Sequence, residues 1–276
     1  MKKRIFTATL LAFGIVLIGL SCKKTDTASS TTTSTTSATT ASSTTSTTSA
    51  TTSSTTSSTT SGVPDVYKKV YGATSIYLQG DSMVVFTTVD TPDHKTPYYK
   101  GTQWETRKYE ADNDPNFKVN PSVIEEQLIT FKIPLHPKQA TTSQQTPLGP
   151  MGISLNGVPF FNQYAAGRAA LTNEKLSFDE YGGHPQMQGQ YHYHVEPTWL
   201  TKNKGEDALL GFLLDGFPVY GPMENGKTIS NSDLDSYHGH TSATTDYPNG
   251  IYHYHITSTD PYINGTGFYG TPGTVK

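Results

Sequence analysis

The stretch Gly152-Ile153-Ser154-Leu155-Asn156-Gly157-Val158-Pro159-Phe160-Phe161 recurs as Gly211-Phe212-Leu213-Leu214-Asp215-Gly216-Phe217-Pro218-Val219-Tyr220. The two decapeptides agree at every Gly and Pro and keep apolar or aromatic character almost throughout. Each is followed by Tyr-His-Tyr-His, at 191–194 and at 252–255, so the copies are offset by 59 residues at the first element and 61 at the second. Only the intervening loops differ in length. A tandem unit of this kind, at about 152–194 and 211–255, predicts two halves related by a pseudo-two-fold axis, with equivalent strands meeting near it. Asn156-Gly157 and Asp215-Gly216 are hairpin signals, because a type I′ turn requires positive φ at both central positions.

Around the repeat the apolar runs are short and punctuated by Gly, Pro, Asn and Asp, as in Ser82 to Val89, Gln127 to Ile133, Gln190 to Val195 and Leu209 to Leu214. This reads as a mainly β fold, a sandwich- or barrel-like single domain. The clearest alternation is Tyr191-His192-Tyr193-His194-Val195, which puts Tyr, Tyr and Val on one face of a strand and both histidines on the other. Helix is minor; Tyr164 to Leu171 has the spacing for a turn or two, weakened by Gly167.

The amino terminus is of another kind. Lys2, Lys3 and Arg4 precede an apolar run from Ile5 to Leu20, closed by Ser21-Cys22. That is the pattern of a secretory signal over residues 1–21, and the small residue before Cys22 resembles a lipobox, in which Cys22 is the lipidation site. Residues 22–62 are dominated by Ser, Thr and Ala with no aromatic side chain, so they are expected to form a disordered tether. Gly62-Val63-Pro64 opens a domain at 63–276, 214 residues that one core can organise. The expected location is extracytoplasmic, at the cell envelope or surface, held by a lipid anchor.

From residue 63 onward, 15 Lys/Arg stand against 22 Asp/Glu, a formal charge of −7 without any basic run. That argues against nucleic acid and against anionic membrane surfaces as partners, leaving the lipid anchor as the only membrane contact. Cys22 is the only cysteine, which excludes thiolate metal sites, disulfides and cysteine nucleophiles from the domain.

Seven of the nine histidines lie between 184 and 255: His184, His192, His194, His238, His240, His253 and His255. Six form His-x-His pairs, whose imidazoles on a strand stand roughly 6.5 to 7 Å apart on one face, near enough to converge on one ion. If the two Tyr-His-Tyr-His strands lie side by side, roughly 4.8 Å apart, four imidazoles crowd one patch around a shared cation. Glu196, Asp215 and Asp246 are the candidate carboxylates for orienting them. An imidazole-rich, thiol-free site suits copper or zinc, with copper favoured, better than magnesium or calcium. Met187 and Met223 are candidate thioethers. The motif tyrosines are expected to pack inward. His94 and His136, beside prolines, read as surface loop residues. The bland reading of any single His-x-His is a cross-strand ladder with satisfied ring nitrogens.

The chain also resembles the YHYH domain family, through Gly-Val-Pro-Phe-Phe-Asn at 157–162, Gly-Gly-His-Pro at 182–185, Gly-Gln-Tyr-His-Tyr-His at 189–194, Leu-Asp-Gly-Phe-Pro-Val-Tyr-Gly-Pro at 214–222 and Tyr-His-Tyr-His at 252–255. The likeness runs from about Val123 to Tyr269. It implies a secreted or surface protein and no particular reaction, since the family name records a motif.

Three functional classes follow. The first is a membrane-anchored metal-binding protein that stores, buffers or delivers copper or zinc. The second is an extracytoplasmic enzyme, either a metal-dependent oxidase or hydrolase or a lyase using His and Tyr on a polysaccharide. The third is a surface glycan-binding module built on exposed aromatics. The corresponding partners are a cell-surface glycan or a metal-handling protein.

Overall fold

A computed structural model describes residues 62–276. The signal peptide, Cys22 and all but the last residue of the Ser/Thr tether lie outside the described residues. Among the described residues no helix is long and apolar enough to cross a membrane.

The polypeptide begins with one helical turn, α1 (Asp65–Lys68), and a hairpin of β1 (Ala73–Gln79) and β2 (Met83–Thr88), followed by β3 (Ile129–Pro134). Next come β4 (Gly152–Ser154), β5 (Pro159–Phe160), β6 (Gly183–Pro185) and β7 (Tyr191–Tyr193). After a short helix α2 (Thr198–Lys204), the chain forms β8 (Leu209–Leu213), β9 (Pro218–Tyr220), β10 (Met223–Glu224), β11 (Lys227–Thr228), β12 (Gly239–Ser242), β13 (Ile251–His255) and β14 (Thr274–Val275). Tyr164 to Leu171 supplies only a single 3-10 turn, Ala166–Arg168.

The strands form an eight-stranded sheet in the order β12-β13-β9-β8-β4-β5-β7-β6, a four-stranded sheet β1-β2-β3-β14, and the small β10-β11 ribbon. The fold is mainly β, as the alternation predicts, and open: β12 and β6 remain as edges, so no barrel closes. The two larger sheets share one apolar cluster. Phe86 of β2 stacks against Phe212 of β8 at 6.3 Å between ring centroids, and Tyr67 of α1 lies 4.9 Å from Phe212.

The order of the large sheet is a palindrome of the repeat. β4 matches β8, β5 matches β9, β6 matches β12 and β7 matches β13. Its centre is the antiparallel β4–β8 pair, in which Gly152 faces Leu213, Ile153 faces Phe212 and Ser154 faces Gly211. Ile153 thus faces its own repeat equivalent, and the pseudo-two-fold axis passes between them. The approach depends on glycine: a Cβ on Gly211 would stand 2.2 Å from the Ile153 carbonyl oxygen, and one on Gly152 would stand 2.5 Å from that of Phe212. Gly211→Ala is therefore expected to lower stability by about 3 kcal/mol, read as a lower midpoint of urea unfolding.

Both predicted hairpins form, but not with type I′ turns. Gly157 and Gly216 take positive φ, 85° in each case, whereas Asn156 and Asp215 do not. Gly157 N–H bonds to the Ser154 carbonyl and Ser154 N–H to that of Val158; Gly216 and Leu213 repeat the pattern in the second half. Each connection is a three-residue loop with glycine in the left-handed position. The reason lies in the side chains. Asn156 donates to Tyr193 Oη at 3.1 Å, and Asp215 accepts from Tyr254 Oη at 2.6 Å, so each turn residue is directed inward to a motif tyrosine.

Candidate metal centres

Palindromic order carries the two Tyr-His-Tyr-His strands outward from the axis. β7 and β13 are separated by β5, β4, β8 and β9, five strand spacings or roughly 24 Å at about 4.8 Å each. The expectation of one shared site is therefore corrected: the histidines of the two strands fall into two separate groups. Strands close to the axis are buried on both faces and must be apolar on both, as Leu209–Leu213 is. A strand with an imidazole face has to border a cavity, further out.

Each centre is completed by the neighbouring outer strand. β6 pairs with β7 so that His184 faces His192, and β12 pairs with β13 so that His240 faces His253. Three imidazoles and one carboxylate then converge twice: Glu174, His184, His192 and His194 in the first half, and Glu224, His240, His253 and His255 in the second, with candidate ligand atoms in each group within 4.8 Å of one another.

The ring tautomers follow from the hydrogen bonds. His192 Nδ1 lies 3.1 Å from the Gln190 carbonyl and His194 Nδ1 2.5 Å from that of Asn162. In the second half, His253 Nδ1 lies 3.0 Å from the Ile251 carbonyl and His255 Nδ1 2.7 Å from that of Gly221. A carbonyl oxygen only accepts, so all four Nδ1 atoms carry the proton. Burial pushes His194 and His255 down to about 4, His192 well below the ordinary imidazole value, and His253 below it as well. The rings are neutral at pH 7, and their Nε2 atoms are bare lone pairs.

These bare atoms face one another at 3.0 Å in the His192–His194 pair and 3.1 Å in the His253–His255 pair. Two lone pairs cannot hydrogen-bond. Two nitrogens each about 2.0–2.1 Å from one ion, at angles between right-angled and tetrahedral, are themselves about 2.9–3.4 Å apart. The observed spacing fits. His184 Nε2 and His240 Nε2 complete each set as buried nitrogens without a hydrogen-bond partner among the described residues. Nδ1 of His184 is engaged with Ser177 Oγ at 3.0 Å. Burial raises both glutamates, but the neighbouring imidazoles, joined by the Ser242 hydroxyl at Glu224, outweigh it and hold them below the ordinary carboxylate value. Each group can thus offer three imidazole nitrogens and one carboxylate oxygen, a donor set suited to a divalent first-row ion.

Other expectations change. His238 is buried outside both groups, with Nε2 on Thr257 Oγ1 at 3.0 Å. None of the three candidate orienting carboxylates touches an imidazole of either centre: Glu196 accepts from Thr201 Oγ1, Asp246 is engaged by Lys69 and Tyr220, and Asp215 accepts from Tyr254. Backbone carbonyls take that role instead. His94 is no surface residue: it is 1% exposed, packs 4.4 Å from Tyr181, and its Nε2 lies 3.1 Å from Tyr193 Oη. His136 is exposed, as expected.

The motif tyrosines do pack inward. Tyr191 donates to Asp179 at 2.7 Å and Tyr252 to Asp235 at 2.9 Å. The Tyr191 and Tyr252 hydroxyls are thus engaged by carboxylates rather than by the imidazoles of either group, and their burial removes these tyrosines from a sugar-stacking platform. Asp179 and Asp235 also accept from the backbone N–H groups of Gly183 and Gly239, holding the residues before His184 and His240. Sequence reasoning missed both, although Asp-x-Tyr-x-Gly-His at 179–184 and 235–240 carries them.

The family model described as YHYH protein matches residues 130–230 and 223–267. No curated protein and no solved structure matches the chain.

Proposed function

The chain belongs to the YHYH protein family, and from that premise we propose that it is an extracytoplasmic, lipid-anchored protein binding two transition-metal ions, one in each half of its large sheet. The observation that carries the metal reading is the pair of bare Nε2 atoms 3.0 Å apart in one half and 3.1 Å apart in the other, each with its ring oriented by a backbone carbonyl. Without a cation this arrangement sets lone pairs against each other in a buried site; with one, it is a preorganised chelate.

Copper stands ahead of zinc. Both accept imidazole and carboxylate, and at equal donor sets the affinity order of the divalent ions favours copper. Location rests on the amino-terminal pattern through Cys22. The bound ion would supply Lewis acidity and, for copper, one-electron chemistry. The protein's own contribution is to hold three imidazole rings and a carboxylate in place, with the Nδ1 atoms of two rings in each group tied to backbone carbonyls.

Titration of the full chain with Cu(II), followed by electron paramagnetic resonance, tests this. Signals with nitrogen couplings that saturate at two ions per chain are expected. Absence of any stoichiometric uptake, for copper and zinc alike, refutes the proposal.

A further inference from the structure

The two centres share their imidazoles but differ around the fourth ligand. Glu224 is held by a hydroxyl: Ser242 Oγ donates to it, while its oxygens stand 3.3 Å from His240 Nε2 and 3.5 Å from His253 Nε2. The Glu174 carboxylate accepts no hydrogen bond from a hydroxyl or an amide among the described residues and stands 3.4 Å from His184 Nε2 alone. The carboxylates also come from unrelated places, one before a 3-10 turn at Lys175–Ser177 and the other on β10.

A second difference lies at one repeat-equivalent position. Phe161 stacks on His192 at 4.0 Å between centroids, whereas its counterpart Tyr220 lies edge-on to His253 and bonds through its hydroxyl to Thr244 Oγ1 at 2.8 Å. The spaces in front of the centres follow suit. The first opens on a cavity of about 400 Å³ walled by Leu148, Phe161, Tyr164, Pro185 and Met187. The second, about 340 Å³, is bordered by Asp207, Asn225, Thr244 and Thr245. Met187, at the lip of the first, is 87% exposed.

We propose that a metal ion in the first centre exchanges Glu174 for an exogenous ligand, a small organic anion with one oxygen donor and an aromatic body, while the second centre keeps Glu224 and stays closed. One carboxylate leaves the ion as another anion enters, so the charge of the groups bound to the ion is unchanged, and the released Glu174 carboxylate stays ionised in the open cavity. The ring of the incoming ligand lies along Phe161 and the apolar wall, and the volume is that of small-molecule sites generally. This inference rests on the metal reading above; it adds that the duplicated centres have diverged into an exchangeable site and a fixed one.

The experiment uses the copper-loaded full chain, with azide as the probe and acetate and benzoate as competitors. Copper content is measured first; a chain that takes up none overturns the metal reading and this inference with it. With copper bound, azide is expected to produce a charge-transfer band that saturates at one azide for every two coppers. The band persists in His253→Ala, which retains only the first centre, and is absent in His192→Ala, which retains only the second. Benzoate displaces azide at concentrations about tenfold lower than acetate does, from burial of the phenyl ring, and Phe161→Tyr narrows that gap. Two azides for every two coppers, no azide band on a fully loaded chain, or equal displacement by the two competitors would each overturn the proposal.

Discussion

Replacing His192 with alanine is expected to reduce the chain's capacity from two transition-metal ions to one, leaving the second centre's affinity unchanged. His192 is 2% exposed, faces His184 across the β6–β7 pair, and supplies the nitrogen nearest to His194 Nε2. Without it, two imidazoles and the Glu174 carboxylate remain. The other centre lies five strand spacings away and shares none of these residues, so the two losses are independent. Thermal stability offers a second readout. An ion that binds only the folded state adds about 2.7 kcal/mol per site at a free concentration about 100 times Kd. The substituted chain is expected to show half the metal-induced stabilisation of the unaltered one. Retention of two ions, or loss of both with the fold intact, would contradict the independence of the centres.

Asp215→Ala is expected to cost about 4 kcal/mol in the metal-free chain. The carboxylate is fully buried and accepts from Tyr254 Oη at 2.6 Å, Gly270 N at 2.8 Å and Phe217 N at 3.3 Å. Burial pushes its pKa up to about 6, which leaves it ionised and purely an acceptor at pH 7. Truncation strands three donors away from water and frees Tyr254, the residue between His253 and His255. Asp215→Asn installs the residue that the first half carries at the equivalent position, Asn156, and retains an acceptor, so less than half of that loss is expected. Urea unfolding at pH 7 compares them; equal stability of all three chains would show that the buried carboxylate orders nothing.

Much of the architecture is legible from the repeat. Alternation in Tyr191–Val195 places tyrosines and histidines on opposite faces, and the recurring Gly and Pro positions mark two hairpins, both of which form. What the pattern does not say is which equivalent strands meet at the axis. Side-chain identity decides it: β4 and β8 carry Gly152 and Gly211, which permit the close approach, and apolar residues fit for burial on both faces. Three His-x-His pairs and His184 make seven candidate ligands, but His238 takes a left-handed φ of 76° and turns to Thr257, and the other six are divided three and three. The carboxylates were the least legible. Glu174 lies ten residues before His184, while Glu224 lies sixteen before His240, so no period or repeat offset connects them. Only the folded loops bring them to equivalent places.

The central claim, two separate three-histidine, one-glutamate centres, is tested most directly by anomalous diffraction from crystals of the copper-loaded protein. Two strong peaks are predicted, one between Glu174, His184, His192 and His194 and the other between Glu224, His240, His253 and His255. A single peak shared by histidines of both halves, or no peak at either group in protein that carries copper, would contradict it.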